Sequence, residues 1–176
     1  LVLTPYIAGG PLGGTEQIVG VSFEARQYFH LPKDTILLFS AEAASVDVWG
    51  NGDRVRIYDR LFLGGANDIR GFDYREVSPR DINGEPLGGQ SMATFTAEYT
   101  VPIVEKARAA IFYDTGFVNA GPWDFNPSHV VSDVGIGMRL DLPIGPLRID
   151  YGIPINKGGY KDAGSGKFNF NVGYQF

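Results

Sequence analysis

Apolar and polar residues alternate with a period of two along most of this chain, and the alternation is cleanest toward its carboxy-terminal end. Leu147, Ile149, Tyr151, Ile153 and Ile155 alternate with Arg148, Asp150, Gly152 and Pro154. Phe168, Phe170, Val172, Tyr174 and Phe176 are set against Lys167, Asn169, Asn171, Gly173 and Gln175, and Val134, Ile136, Met138, Leu140 and Leu142 against Asp133, Gly135, Gly137, Arg139 and Asp141. Upstream, Ala93, Phe95, Ala97, Tyr99, Val101 and Ile103 oppose Thr94, Thr96 and Glu98, while Ala109, Ile111, Tyr113 and Phe117 oppose Arg108, Asp114 and Gly116. A period of two puts successive side chains on opposite faces of a strand. Residues from about 15 to 30 and 34 to 49 alternate less cleanly, and residues 1–9 read as a shortened strand. The pattern predicts about eight strands, most of them long enough for a tilted bilayer crossing, which takes about 9–11 residues.

The breaks in the pattern predict the turns. Leu31-Pro32-Lys33-Asp34, Glu105-Lys106 and Leu142-Pro143-Ile144-Gly145-Pro146 are short, whereas the segments near 119–129 and 156–166 are longer. Asn51-Gly52-Asp53 is a good turn and a poor calcium loop, because the remaining ligands are missing. Short and long connections in alternation describe an antiparallel meander. One connection differs in kind. Between about Gly50 and Gln90 no strand pattern is sustained, yet the segment carries Tyr58, Leu61, Phe62, Leu63, Ile69, Phe72 and Tyr74. A loop of this length with apolar surface of its own is expected to fold back onto the protein.

Composition sharpens the fold class. The chain has 24 Gly, 12 Phe and 9 Tyr among 176 residues, which favours strands and tight turns over helices. Its mean hydropathy of −0.06 is that of an ordinary soluble protein. A β-barrel in lipid reaches the same average, because only every second residue has to be apolar. No run approaches the roughly 18 apolar residues of a spanning helix. The net charge of −5 excludes a basic stripe for nucleic acid. Cysteine is absent, so disulfides and thiolate metal sites are excluded. His30 and His129 have no helical metal-ligand spacing and join no catalytic triad, and Gly164-Ser165-Gly166-Lys167 lacks the Ser/Thr and the helix of a phosphate loop. No metal, no cofactor and no enzymatic activity are expected. The chain opens at Leu1 without a basic or cleavable leader, and reads as a mature piece of something longer.

Periodicity alone leaves the direction of the faces open, since a soluble barrel with an apolar interior alternates as a membrane barrel does. Aromatics near the strand ends, an aromatic last residue and sparse charge on the polar face favour a transmembrane antiparallel β-barrel.

Residues 61–72, LFLGGANDIRGF, followed by SPRDINGEPLGGQ at 78–90, resemble the long sixth extracellular loop of the BamA superfamily. The hallmark of that loop, a Gly-Gly pair followed by Val/Ile-Arg-Gly-Phe/Tyr, corresponds to Gly64, Gly65, Ile69, Arg70, Gly71 and Phe72. The similarity continues through IFYDTGFVNAG at 111–121, SDVGIGMRLDLPIGPLRIDYGIPI at 132–155 and FNFNVGYQF at 168–176, about two thirds of the sequence. It implies that the loop enters the barrel lumen and that Arg70 meets acidic residues of the inner wall. Glu98 and Asp114 match the acidic positions and lie on the polar face by parity. A guanidinium taken out of water needs such acceptors. The terminal strand resembles the β-signal of outer-membrane proteins, carried here by Phe170, Val172, Tyr174 and Phe176.

The resemblance implies a bacterial-type outer-membrane barrel that folds and inserts outer-membrane proteins. Its implied partners are outer-membrane lipid and client β-barrel proteins, with assembly-complex lipoproteins and self-association as further expectations. A polypeptide translocation pore with a secreted substrate and a soluble ligand-binding β-barrel stay open as alternatives. Barrels of that family have sixteen strands, so eight strands are either the carboxy-terminal half of one or a complete small barrel. The chain is read as a single barrel domain without the periplasmic receiver domains of the family.

Overall fold

The computed structural model describes residues 1–9, 13, 17–50, 52, 54–143, 145–160 and 164–173. Asn51 and Asp53 of the expected Asn-Gly-Asp turn, Ile144, and Tyr174 and Phe176 of the terminal pattern lie outside them. The strands are β1 (Val2–Ala8), β2 (Ile18–Leu31), β3 (Thr35–Val48), β4 (Ser91–Val104), β5 (Ala107–Asn119), β6 (Val131–Leu142), β7 (Gly145–Lys157) and β8 (Lys167–Val172). They form one antiparallel sheet in sequential order. Among the described residues no helix is long and apolar enough to cross a membrane.

Short turns join β2 to β3, β4 to β5 and β6 to β7. The first is a one-turn 3-10 segment, Pro32–Asp34, in which Lys33 and Asp34 have positive φ. The long connections gather at the other rim. β1 and β8 each have one neighbour, so the sheet is open among the described residues. That is the arrangement of a partial barrel, and the closed eight-stranded alternative is not what the sheet adopts.

The two faces differ as the alternation requires. One is bare, with Phe39, Phe95, Ile111, Ile136, Tyr151, Ile153, Phe168, Phe170 and Val172 exposed along it. An exposed apolar surface of this extent is abnormal for a protein wetted by water alone. A barrel with an apolar centre, as the soluble alternative needs, would turn these residues inward. The other face is covered by residues 49–90, the connection between β3 and β4.

The core therefore sits between loop and sheet. Leu63, Ile69, Phe72 and Val77 of the loop pack with Ala44, Met92, Val118 and Val131 of the wall, all buried. A smaller cluster joins Val55 to Ile18 and Val46. Main-chain bridges give the loop internal order: Leu61 pairs with Gly89, Leu63 with Val77 and Arg80 with Pro86. Burial of this apolar surface, at about 25 cal/mol per Å², drives docking without specifying its position. Direction comes from the polar contacts.

Candidate functional site

The register brings unlike residues into rows on the covered face. Glu98, Phe112, Gly135, Gly152 and Lys167 are successive cross-strand partners on β4 to β8. The next row toward the long loops contains Thr96, Asp114, Asp133 and Pro154. Two glycines side by side leave a shallow floor, with the Phe112 ring over Gly135 and the loop over Gly152. A Cβ at Gly152 would stand 2.7 Å from the Gly71 nitrogen and 2.8 Å from the Arg70 carbonyl carbon. The hollow over β7 thus admits the loop's main chain, and only a residue without a side chain provides it.

Within the loop, Gly64 and Gly65 adopt φ of 106° and 111°, a region that L side chains rarely enter. The turn they make is closed by Gly65 N–H to the Phe72 carbonyl at 3.1 Å and Phe72 N–H to the Ile69 carbonyl at 3.2 Å. Ile69 and Phe72 enter the apolar cluster. Arg70 and Gly71 between them are driven onto the wall.

Arg70 is 3% exposed and saturated with acceptors. Its Nε donates to Asp114 Oδ2 at 2.8 Å and one terminal nitrogen to Asp114 Oδ1 at 3.0 Å, a fork-on-fork pair. The other terminal nitrogen donates to Glu98 Oε2 at 2.6 Å and lies 3.5 Å from Asp150 Oδ2. The guanidinium carbon is 3.4 Å from the centroid of the Phe112 ring, a cation–π contact. The main chain is held too: Asn169 Nδ2 donates to the Arg70 carbonyl at 2.8 Å, and Gly71 N–H donates to Asp133 Oδ2 at 2.6 Å.

Around this centre the carboxylates are bridged again. Arg139 donates to both oxygens of Glu98, at 3.1 and 2.8 Å, and to Asp150 Oδ1 at 2.6 Å. Arg148 lies 3.0 Å from Asp150 Oδ2 and also donates to the Ala66 carbonyl of the loop. Lys167 meets Asp73 at 2.5 Å. Burial alone would disfavour charge on Arg70, but hydrogen bonds and charges from Asp114 and Glu98 outweigh it and raise its already high pKa. Asp68 in the same loop is pushed up to about 6 by burial, with Glu42 and Asp114 adding repulsion.

The structure thus brings Arg70 onto Glu98 and Asp114, Gly71 onto Asp133, and Ile69 and Phe72 into the apolar cluster. Phe170 and Val172 stand apart from this site, on the bare face of β8, and Tyr174 and Phe176 lie outside the described residues. Sequence reasoning did not single out Asp133, Asp150, Arg139, Phe112 or Asn169. All five share the parity of Glu98 and Asp114 on their strands, and Phe112 betrays itself as an aromatic at a polar-parity position of β5. Among the described residues no group of His, Cys, Asp or Glu is arranged to hold a metal ion. The arrangement is a lock between a loop and a wall.

Comparison with known proteins places this geometry. The outer membrane protein assembly factor BamA of Nitratidesulfovibrio vulgaris is 33% identical over 172 residues, covering 96% of this chain and 22% of that protein. BamA of Neorickettsia risticii is 32% identical over 149 residues, covering 79% of this chain and 20% of that one. This chain therefore spans about a fifth of the length of these curated relatives. The crystal structure of Haemophilus ducreyi BamA lacking POTRA domains 1–3 superposes with a TM-score of 0.67 at 20% identity, over 86% of this chain and 34% of that one, and so shares its fold. Residues 2–176 match the Omp85 superfamily domain, and the chain belongs to that superfamily.

Proposed function

We propose that this chain is barrel wall and lumenal loop of an outer-membrane factor that folds and inserts β-barrel proteins, acting without catalytic chemistry of its own. The observation that carries the proposal is the docked loop: Arg70 fixed on Glu98 and Asp114 behind a sheet whose opposite face is bare and apolar. The lock keeps the loop on the wall while lipid wets the other side. The relatives named as assembly factors support the same reading. Physically, such a protein helps a client strand pair its main chain at an accessible sheet edge, where unpaired N–H and C=O groups are a template. Clients would be other outer-membrane barrels, and lipoproteins of an assembly complex would be accessory partners.

The test is insertion of an unfolded outer-membrane barrel into liposomes containing the protein. Acceleration by the wild type that falls in Arg70→Ala and in Asp114→Ala is the expected result. Unchanged client insertion, together with ion conductance and passage of one secreted polypeptide, would replace assembly by translocation.

A further inference from the structure

The connection between β5 and β6, residues 120–130, is attached to the wall by a second set of contacts unrelated to Arg70. Three polar side chains occupy positions whose parity belongs to the bare apolar face, all at the long-loop rim. They are Ser45 on β3, Ser91 on β4 and Asn119 on β5, and they are 1%, 0% and 7% exposed. Ser45 pairs across the ladder with Ser91, and Ser91 with Asn119, so the three form one row. Polar groups so deeply buried need partners, and the connection supplies them. Trp123 N–H donates to Ser45 Oγ at 2.9 Å, and Asp124 N–H to Ser91 Oγ at 2.9 Å. The Ser91 hydroxyl donates to the Gly121 carbonyl, and Asn119 Nδ2 to the carbonyls of Asp124 and Asn126 at 2.7 and 2.9 Å.

Segment 121–126 is thereby clamped at the end of the bare face. Trp123 sits at φ 57°, a left-handed conformation that a bulky residue holds only where its surroundings over-determine it. The result is that Trp123 and Phe125 stand 54% and 44% exposed. They border an outward surface that continues along the strands through Phe117, Phe95 and Phe39, of which the last two stack at 6.0 Å.

We propose that this clamp is a membrane-surface anchor, which seats Trp123 and Phe125 in the headgroup and glycerol layer of the leaflet at the long-loop rim. The inference rests on the bare face being wetted by lipid. An indole suits that layer because it offers an apolar ring and one N–H donor. The clamp adds what the depth demands, since it satisfies the connection's main chain from within the protein where water thins. Continuity with the apolar face selects lipid as the occupant: whatever wets that face meets these rings at its margin.

The protein has two tryptophans, so Trp49→Phe leaves Trp123 as the single tryptophan, read by exciting where tyrosine does not absorb. In liposomes, nitroxide labels near the headgroup should quench Trp123 about twofold more than labels at the chain ends. Adding Ser91→Ala and Asn119→Ala should lower that quenching and raise quenching by aqueous acrylamide. A second probe, Tyr151→Trp in a Trp49→Phe, Trp123→Phe background, reports the middle of the bare face. If this probe is quenched by deep labels while Trp123 answers only to acrylamide, the anchor is refuted and the membrane reading stands. Shielding of Trp123 from both quenchers would mean that a protein surface covers it, which also refutes the anchor. Absence of lipid quenching at both probes overturns the anchor and the membrane reading together.

Discussion

Gly71 donates its N–H to Asp133 at 2.6 Å, and a Cβ at this residue would lie 2.6 Å from the Cβ of Asp133. Both facts follow from one close approach of main chain to wall. Gly71→Ala is therefore expected to weaken loop docking by about 1–3 kcal/mol through overpacking, read as faster amide exchange in residues 61–77. Arg70→Ala removes the cation and leaves Asp114 and Glu98 buried without it, at a cost of about 3–5 kcal/mol. Arg70→Lys should recover only part of that loss, because a point charge cannot reproduce the fork on Asp114. Asp68 gives a pH signature. Its pKa in the docked loop is about 6, above the ordinary 3.8, so the docked state binds more protons. Its contribution to docking is then most favourable below about pH 4 and declines as pH rises through about 6. Asp68→Asn should remove that decline, as seen by comparing loop exchange in wild type and variant between pH 4 and 7.

At the scale of strands and loop, legibility followed the physics of alternation. The eight strands were readable because each exposes one face to an apolar environment and the other to polar groups, and this writes a period of two into the sequence. The three acidic residues Glu98, Asp114 and Asp150 all fell on the polar side by counting alone. What counting could not reveal is register. Whether Asp133 and Asp150 stand near Arg70 depends on how β5, β6 and β7 slide past one another, and that is decided by turn lengths and by packing across the whole sheet. The loop was less legible still, since its order comes from isolated bridges such as Leu63–Val77 and from glycine turns, neither of which has a period. Ser45, Ser91 and Asn119 were misleading for a related reason: as polar residues at apolar parity they look like noise until the connection above them is seen. A double-mutant cycle between Arg70 and Asp114 should return a coupling of about 1–3 kcal/mol, the range for residues sharing one buried network.

On the scale of the whole molecule, the bare face decides the environment. Ile136 is among the most exposed of its apolar residues. Ile136→Arg is expected to destabilise the protein folded in liposomes by about 2–4 kcal/mol, measured by denaturant titration, because a charge at mid-depth meets hydrocarbon. The covered face has an asymmetry of its own. The polar anchors of Ala66, Arg70, Gly71 and Asp73 fall on β4 to β8, whereas toward β2 and β3 Val55 packs on Ile18 and Val46, and the hydrogen bonds to β3 come from Gln90 at the foot of the loop. Hydrogen bonds resist sliding and apolar contacts do not, so the molecule is mechanically anisotropic. The loop tip would stiffen β4 to β8 against bending across the strands, and the amino-terminal three, held in register by their own ladders but not pinned by the loop tip's ion pairs, would be the more compliant flank.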